Sequence, residues 1–371
     1  MKIAIILSGR VAHYEKCLIS VLQKINNNNY DIDIFISVND EPHKKYYDIL
    51  KEKLKLYLKD IYINPYKIPD SIKKKLHIVV AGIVGSAGLK WVISSIKHNK
   101  RILLANKETL VMAGPLINKL LLKSKAQLLP VDSEHNSIFQ LTNTLKPQQL
   151  KNINDILLTG SGGPFRKKSL SSIKLATPKQ AINHPIWKMG PKISVDSATL
   201  MNKSLELIEA YNIFNFSFDK YKVLIQPEGV IHGIVNMKDG SSFAHMYNAD
   251  MKIPISNVLF YPNCNLYRSA NINFSKLKQI NFEEPRHEIF PSIKLAYKVL
   301  DEGMHAQIAL NASNEIAVDS FLNKKIKFLD IFKFIQYALD LDVPIKPKSI
   351  EEIIELDSFY RKKTIDLIKH K

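Results

Sequence analysis

The chain has 371 residues, of which 46% are hydrophobic and 24% are charged, and this balance excludes a disordered or fibrous protein. Its length exceeds what one hydrophobic core ordinarily serves, so we expect two or three domains. The formal net charge is +18, but the lysines are spread along the whole chain. Scattered charge does not predict the clustered basic surface that nucleic acids require, and we expect no nucleic-acid partner.

The sequence gives no sign of export or of membrane insertion. Its two cysteines, Cys17 and Cys264, lack the spacing of a metal site or of a disulfide framework. The apolar run Ile3 to Leu7 is too short for a signal peptide, and no apolar stretch reaches the roughly 20 residues of a membrane-spanning helix. We therefore expect a cytoplasmic protein with no membrane partner.

The first part of the chain alternates short apolar runs with segments of helical length. The runs predict strands at Lys2 to Leu7, Ile32 to Ser37, His77 to Ala81 and Arg101 to Ala105. The longer segments predict helices at Val11 to Lys24, Lys44 to Leu56 and Ser86 to His98. This βαβ rhythm is typical of the α/β class, and it predicts an N-terminal doubly wound, Rossmann-like domain over residues 1–125.

The second part of the chain mixes the two kinds of element. An apolar run leads from Leu128 to Val131, a strand-like run covers Ile156 to Leu158, and strands are predicted around Val223 to Ile225 and Val230 to Val235. A helix is predicted over Ser197 to Ala210, with Asp196 or Ser197 as its N-cap. We expect a central α+β catalytic domain over residues 126–260.

The last part of the chain has almost no strand pattern. From about Arg286 onward, apolar residues such as Ile293, Ala296, Tyr297 and Leu300 follow the i, i+3, i+4, i+7 spacing of helices. This pattern predicts a C-terminal helical bundle over residues 286–371. The irregular, proline-containing residues 261–285 are the predicted connection.

Two carboxylates, Asp132 and Glu134, stand two residues apart directly after an apolar run. In an extended segment both side chains would point to the same side and would suit a metal ion. The alternative is a helix start, with the aspartate or Ser133 as N-cap and the glutamate in the first turn. The residues by themselves leave both interpretations open.

A second polar group follows on the predicted helix, where Asn202, Lys203 and Glu206 share one face. The alternative is a solvated face with a weak lysine–glutamate pair. The preceding stretch His184 to Pro191 places a tryptophan and a methionine between two prolines. A loop of this composition suits a lid over a pocket.

Two further segments suit a ligand. The glycines of Thr159 to Arg166 would let backbone N–H groups approach an anion, although a tight turn has the same composition. Asn106 to Glu108 follows a predicted strand at the edge where doubly wound sheets bind ligands, although it also suits a helix start.

Taken in order, these segments resemble the 1-deoxy-D-xylulose 5-phosphate reductoisomerase family. The resemblance runs from about His77 to the C-terminus, or about three quarters of the chain. The motifs that carry it are Ala81 to Leu89, Leu104 to Glu108, Val131 to Asn136, Gly160 to Arg166, His184 to Gly190, Lys192 to Thr199, Met201 to Lys203 with Glu206, Asp250 with Met251, and Ala309 to Ile316.

The resemblance implies a set of site residues. The metal ligands that it implies are Asp132, Glu134 and Glu206, and the further catalytic residues are Lys107 and His184. The substrate-binding residues that it implies are Ser133, Ser161, His184, Trp187, Met189, Ser197, Asn202 and Lys203. The cofactor-binding residues that it implies are Ser8, Gly9, Arg10, Gly82, Asn106, Lys107, Glu108, Gly190 and Met251. A ligand set made only of carboxylate oxygens suits a hard cation, Mg²⁺ or Mn²⁺.

The reaction that the resemblance implies has two stages. The metal-dependent rearrangement of 1-deoxy-D-xylulose 5-phosphate comes first, and reduction with NADPH then gives 2-C-methyl-D-erythritol 4-phosphate, an isoprenoid precursor. The resemblance also implies a homodimer.

The sequence departs from the family in two places. The first predicted strand is followed by a turn with a single glycine, Gly9, and no other glycine occurs before Gly82. The family has a glycine-rich turn at this place, and that turn binds the cofactor phosphates. The first 75 or so residues look foreign to the family and faintly resemble sugar-nucleotide transferases. The alternatives are therefore a reductoisomerase-like core with impaired cofactor binding behind a glycosyltransferase-like opening, or another NADPH-dependent keto-sugar-phosphate reductase. The second departure is Gln226 to Gly229, which stands where the family has His-Pro-Gln-Ser.

Overall fold

The computed structural model describes residues 77–83, 85–263, 268–341, 343 and 346–370 with their side chains, and residues 2–8, 31–37 and 60–63 as backbone strands. The predicted helices Val11 to Lys24 and Lys44 to Leu56 lie outside the described residues, as do Gly9 and Arg10. Within the described ranges, no helix is both long and apolar enough to cross a membrane.

The described elements follow one another in chain order. The strands are β1 (Lys2–Ser8), β2 (Asp31–Ser37), β3 (Asp60–Ile63), β4 (Ile78–Gly82), β5 (Arg101–Leu104), β6 (Gln127–Pro130), β7 (Ile153–Gly160), β8 (Tyr221–Ile225), β9 (Ile231–Met237) and β10 (Ser242–Met246). The helices are α1 (Leu89–Lys97), α2 (Lys107–Leu122), α3 (Ser133–Asn143), α4 (Pro147–Leu150), α5 (Leu170–Lys174), α6 (Pro178–Ala181), α7 (Pro191–Ala198), α8 (Met201–Phe214), α9 (Lys252–Phe260), α10 (Phe274–Leu277), α11 (Ser292–Glu302), α12 (Met304–Leu322), α13 (Asp330–Leu339) and α14 (Ile350–Lys369).

The chain divides into two units that each draw on separate segments. The first unit contains residues 1–109, 117–136 and 250–270, and the second contains residues 110–116, 137–249 and 271–371. The limits of the predicted domains, at residues 125, 260 and 285, stay predictions.

The first unit is built on a six-stranded sheet with the order β3-β2-β1-β4-β5-β6, in which every described pair of strands is parallel. This is the order of doubly wound dinucleotide-binding sheets, so the predicted Rossmann-like fold is confirmed. Helix α1 buries Leu89, Val92, Ile93 and Ile96 at the i, i+3, i+4, i+7 spacing of an amphipathic helix. The apolar runs did not predict strand β3.

The second unit contains a four-stranded sheet with the order β10-β9-β7-β8. Strand β7 runs parallel to β8 and antiparallel to β9, which is antiparallel to β10. Helix α8 packs against β7, β8 and α11, and its apolar residues join the largest core cluster of the unit. The same unit carries the predicted C-terminal helices, in which α12 packs against α11, α13 and α14.

The prediction of one continuous helix from Ser197 to Ala210 is wrong. Two helices, α7 and α8, meet at Leu200, whose φ of 60° is left-handed. The predicted caps Asp196 and Ser197 lie inside α7. The Thr199 hydroxyl bonds back to the carbonyl oxygens of Val195 and Asp196, each at 3.1 Å, as the first helix ends. Apolar residues keep their spacing through this break, so periodicity does not reveal it.

Candidate active site

The carboxyl ends of β1 and β4 form the edge of the first unit where a ligand is expected. Leu7 pairs with Gly82 in the parallel register, and the connection changes direction between these two strands. Ligands of doubly wound sheets bind at this switch point. Gly82 ends β4 and Ser8 ends β1, so both cofactor-binding predictions fall at this edge.

Asn106 ties the start of α2 to this edge. Its Oδ1 accepts the Thr109 amide at 3.1 Å as a helix N-cap, and its Nδ2 donates to the Gly85 carbonyl at 3.0 Å and to the Ile83 carbonyl. The side chain is 2% exposed, so the helix-start interpretation of this motif holds. Gly88 is required beside it, because a Cβ there would lie 2.7 Å from the Ile83 carbonyl oxygen.

Asp132 and Glu134 stand at the start of α3, and the extended segment that we considered for them is wrong because Glu134 belongs to the first helical turn. Oδ1 of Asp132 accepts the Glu134 amide at 3.3 Å, as an N-cap does. The two side chains still offer carboxylate oxygens within 4.8 Å of each other. On the other side, Lys107 Nζ lies 2.8 Å from Asp132 Oδ2, which neutralises that carboxylate. Asp132 is therefore the N-cap of α3, and its carboxylate still lies close to that of Glu134.

The remaining cofactor-binding predictions fall at helix starts. Lys107 and Glu108 open α2, and Glu108 is buried. Met251 precedes α9 as its N-cap residue in the first unit, and Gly190 precedes α7 as its N-cap residue in the second unit. Ser133 opens α3 and its hydroxyl donates to Glu134.

Four predicted substrate-binding residues of the second unit line one small cavity. The residues that line it are Gly160, Ser161, Gly162, Ser197, Leu200, Asn202 and Lys203. The glycine loop approaches the end of α7 closely, since a Cβ on Gly163 would lie 2.7 Å from the Ser197 carbonyl oxygen. The φ of Gly163 is 66°, which favours glycine. The loop is therefore one wall of a cavity and more than a tight turn.

The polar face of α8 is buried, and the solvated alternative is wrong. Glu206 is 1% exposed and Lys203 is 6% exposed. The Lys203 ammonium and the Asn202 amide both donate to the Glu206 carboxylate. Burial of an ionised carboxylate is costly unless it is paired, and here two donors from its own helix meet that requirement.

His184 links the glycine loop to the stretch that follows it. Its Nδ1 accepts the amides of Ile186 at 3.2 Å and of Trp187 at 2.8 Å. An acceptor nitrogen carries no proton, so Nε2 holds it and donates to Ser161 Oγ at 2.9 Å. Burial, together with the Lys203 ammonium, lowers the pKa of His184 to about 4, and the ring is neutral at pH 7. The Ser161 hydroxyl keeps its own proton for a ligand.

Sequence reasoning missed a group of rings beside Trp187. The ring of His232 meets it edge-on with centroids 6.1 Å apart, and Tyr247 stacks on the histidine at 3.8 Å. The signal that could have found them is slight, because a histidine on a buried strand and a tyrosine after an edge strand suit an ordinary core.

Three family models match consecutive parts of the chain. They describe 1-deoxy-D-xylulose 5-phosphate reductoisomerase at residues 22–114, its C-terminal domain at residues 128–214, and DXP reductoisomerase C-terminal domain at residues 246–363. The first match begins well before residue 75, so the likeness to the family extends into the opening that its motifs had marked as foreign.

Similar proteins of known family are also 1-deoxy-D-xylulose 5-phosphate reductoisomerases, and the matches cover most of their length. The 1-deoxy-D-xylulose 5-phosphate reductoisomerase of Lawsonia intracellularis (strain PHE/MN1-00) is 48% identical over 282 residues, which cover 75% of this chain and 69% of that protein. The one from Shewanella frigidimarina is 46% identical over 297 residues, which cover 78% and 75% of the two chains.

Two solved structures of similar proteins match this chain. A crystal structure of DOX-P reductoisomerase with NADPH, fosmidomycin and magnesium has a TM-score of 0.84 and 33% identity, and the match covers 100% of this chain and 98% of that one. The Zymomonas mobilis enzyme in complex with NADPH has a TM-score of 0.83, 33% identity, and coverage of 99% and 98%.

A doubly wound sheet with an acidic helix start, followed by a second unit with a polar cavity, defines a two-unit α/β enzyme of the dinucleotide-dependent class. Within that class, the chain belongs to the 1-deoxy-D-xylulose 5-phosphate reductoisomerase family.

Proposed function

We propose that this protein converts 1-deoxy-D-xylulose 5-phosphate to 2-C-methyl-D-erythritol 4-phosphate with NADPH and a divalent cation, Mg²⁺ or Mn²⁺. The observation that carries the proposal is the cavity between the glycine loop and α8, because it joins a hydroxyl donor, an amide and an ammonium group in the manner of a phosphate site. The match of the family model from residue 22 does not favour a fused transferase opening.

The residues present fit the cofactors that solved relatives bind. Asp132 and Glu134 offer carboxylate oxygens close together in the first unit. The resemblance to the family adds Glu206 as the third ligand, and three carboxylates are the donor set of a hard cation. The strand order of the first unit fits a dinucleotide at the ends of β1 and β4. When bound, the cation supplies a Lewis acid for a ketone and NADPH supplies a hydride.

The side chains of the cavity have distinct tasks in this reaction. Ser161 receives the proton of His184 Nε2 in a hydrogen bond and so directs its own proton toward a phosphate oxygen. Lys203 and Asn202 add an ammonium and an amide donor, and Ser197 adds a hydroxyl. Binding the phosphate away from the reacting carbons holds the substrate in one orientation.

The stretch His184–Gly190, which we call the lid loop, closes over the bound substrate in this proposal. Its first turn is fixed by Nδ1 of His184, while Trp187 and Met189 are neither fully buried nor fully exposed. Packing of these two side chains over the substrate would exclude water from the reacting carbons. Lys107 pairs with Asp132 within the first unit.

We also propose that the protein is a cytoplasmic homodimer. The support is the resemblance to the family, and analytical ultracentrifugation of the purified protein tests the assembly. A sedimenting species of 42.4 kDa at micromolar concentration would contradict it.

The decisive test is an assay of NADPH absorbance with 1-deoxy-D-xylulose 5-phosphate and Mn²⁺. We expect turnover that a chelator abolishes and that excess Mn²⁺ restores. Asp132→Asn, Glu134→Gln and Glu206→Gln should each reduce turnover by about 100-fold or more, since each removes an anionic oxygen ligand. Glu302→Gln is the control, because Glu302 is an exposed carboxylate of α11. Full activity in any of the first three variants would refute that ligand.

A further inference from the structure

Two neighbouring side chains of the lid loop rest on the segment that leads into β9. A Cβ on Gly229 would lie 2.8 Å from Cδ1 and 3.4 Å from Cγ2 of Ile186, so the isoleucine occupies the space that a side chain would need. Trp187 meets the ring of His232 at 6.1 Å and an interplanar angle of 65°. The loop therefore contacts the turn before β9 and the second residue of that strand.

The turn before β9 is stabilised by hydrogen bonds between its own residues. Gln226 is fully buried, and its Oε1 accepts the amides of Val230 at 2.8 Å and Ile231 at 3.2 Å. Gly229 has a φ of 63°, and its amide donates to the Gln226 carbonyl at 3.1 Å. Glu228 is bound from outside the turn by the side chain of Asn281 at 2.6 Å. The Gln-Pro-Glu-Gly sequence thus builds a fixed surface with no side chain at its last position.

The ring of His232 is held just as firmly. It stacks on Tyr247 with centroids 3.8 Å apart and planes at 19°, and its Nε2 lies 3.0 Å from the Tyr247 carbonyl oxygen. The ring of His245 contacts the tyrosine edge-on, with centroids 5.3 Å apart, and its Nδ1 lies 2.9 Å from Ser137 Oγ. His232 and Tyr247 are 3% and 7% exposed. The ring that faces Trp187 therefore has one orientation.

We propose that Gly229, His232 and Tyr247 form a seat for the lid loop, and that Gly229 and Tyr247 are positioning residues that set how readily Trp187 closes over the substrate. A preformed seat lowers the entropy that the loop loses on closing. The proposal rests on the proposed function through the role of His184–Gly190 as a lid, whereas contact between loop and seat can be measured without turnover. It gives the unusual Gln226–Gly229 sequence a task, since a side chain at position 229 would push Ile186 away.

The first experiment measures KM and kcat for Gly229→Ala. Gly240→Ala is the matched control, because Gly240 also has a left-handed φ, of 88°, but no atom within 4 Å of an added Cβ. We expect the first variant to raise KM for the sugar phosphate about fivefold with kcat within about twofold, and the control to match wild type. Equal KM values for both variants would overturn the assignment of Gly229.

Ile186→Ala distinguishes lid contact from backbone strain. It removes the atoms that an added Cβ would meet, so in the Ile186→Ala background the Gly229→Ala change should raise KM by less than about twofold. Backbone strain alone would give the same increase in both backgrounds, and that result would refute the steric coupling.

The second experiment uses Trp187 as a reporter in the Trp91→Phe background, since the chain has only two tryptophans. Tyr247→Leu removes the stacked ring and Tyr247→Phe keeps it. We expect acrylamide quenching of Trp187 to rise about twofold in the first variant and to stay unchanged in the second. Identical quenching in both would overturn the role of Tyr247. If the quenching result stands but wild type does not reduce the sugar phosphate, the seat is upheld and the proposed function fails.

Discussion

The ammonium nitrogen of Lys107 lies 2.8 Å from Oδ2 of Asp132, and the two side chains are only 11% and 17% exposed. A cation in this position competes with any metal ion for the same carboxylate. The pair therefore couples a proposed catalytic lysine to a proposed metal ligand inside one unit.

Replacement of Lys107 by methionine should strengthen Mn²⁺ binding while it lowers turnover. Removal of the positive charge takes away one competitor of the metal for Asp132 Oδ2, and we expect about tenfold tighter binding. Titration calorimetry with Mn²⁺ measures this without any catalysis. Lys97→Met, at an exposed position of α1, is the control. Unchanged affinity in Lys107→Met would show that the pair does not compete with the metal.

Acid should destabilise the protein through two neutral histidines. Burial lowers the pKa of His184 to about 4, with a contribution from Lys203, and burial lowers the pKa of His245 to about 4, with a contribution from His232. The unfolded chain takes up these protons near pH 6.5 and the folded chain does not, so stability is complete above that pH and falls between pH 6.5 and 4.

Urea unfolding of His245→Gln at several pH values tests this. The variant should lose less free energy of unfolding than wild type between pH 6.5 and pH 4.5. His370→Gln, at an exposed position near the C-terminus, should behave as wild type. Parallel pH profiles for His245→Gln and wild type would contradict the prediction.

Asn314→Ala should lower stability through a buried carboxylate. Asp196 is 1% exposed, and its two oxygens are bound by Asn314 Nδ2 at 2.9 Å and by Lys192 Nζ at 2.8 Å. Loss of one donor leaves a buried charge with fewer hydrogen bonds, and we expect a decrease of about 2 kcal/mol in the free energy of unfolding. Chemical denaturation measures it, and an effect below about 0.5 kcal/mol would argue that water replaces the amide.

Arg361 joins two helices of the C-terminal bundle. Its guanidinium binds Glu315 of α12 at 2.6 Å and Asp357 of α14 at 2.8 Å, and three quarters of the arginine side chain is buried. We expect Arg361→Met to lower the unfolding free energy by about 2–3 kcal/mol because two carboxylates each lose a charged partner. Lys298→Met is the control at an exposed pair, where a change below about 1 kcal/mol is expected. Similar losses in both variants would refute this difference.

Patterns of spacing predicted most of the architecture. Four strands of the parallel sheet follow from apolar runs, because strands of such a sheet are buried on both faces. Helix α1 follows from the helical length and mixed polarity of the segment between two of these runs. The edge strand β10 was not predicted, since residues Ser242 to Ala244 are exposed and carry no alternation. The break at Leu200 was also missed, because a left-handed leucine depends on its surroundings and leaves no composition signal.

The candidate site was predicted in residue types more than in geometry. Carboxylates and glycines are visible in the sequence, so Asp132, Glu134 and Ser161 were candidates, and their assignment to a metal and a substrate comes from the family resemblance. The tautomer of His184 and the seat under Trp187 depend on hydrogen bonds and ring contacts between segments distant in the sequence. Such relations are set by the fold, and no local pattern encodes them.

The discontinuity of the first unit bears on how the protein is made. Asn136, which is fully buried, donates to the Pro254 carbonyl at 3.3 Å and accepts the Asn257 side chain at 3.0 Å, and both partners belong to α9. A ribosome translates more than 100 further residues between this asparagine and that helix. During that interval the nascent first unit lacks α9, and Asn136 cannot yet form its hydrogen bonds to that helix. Synthesis therefore favours late completion of this unit, after most of the second sheet has already emerged.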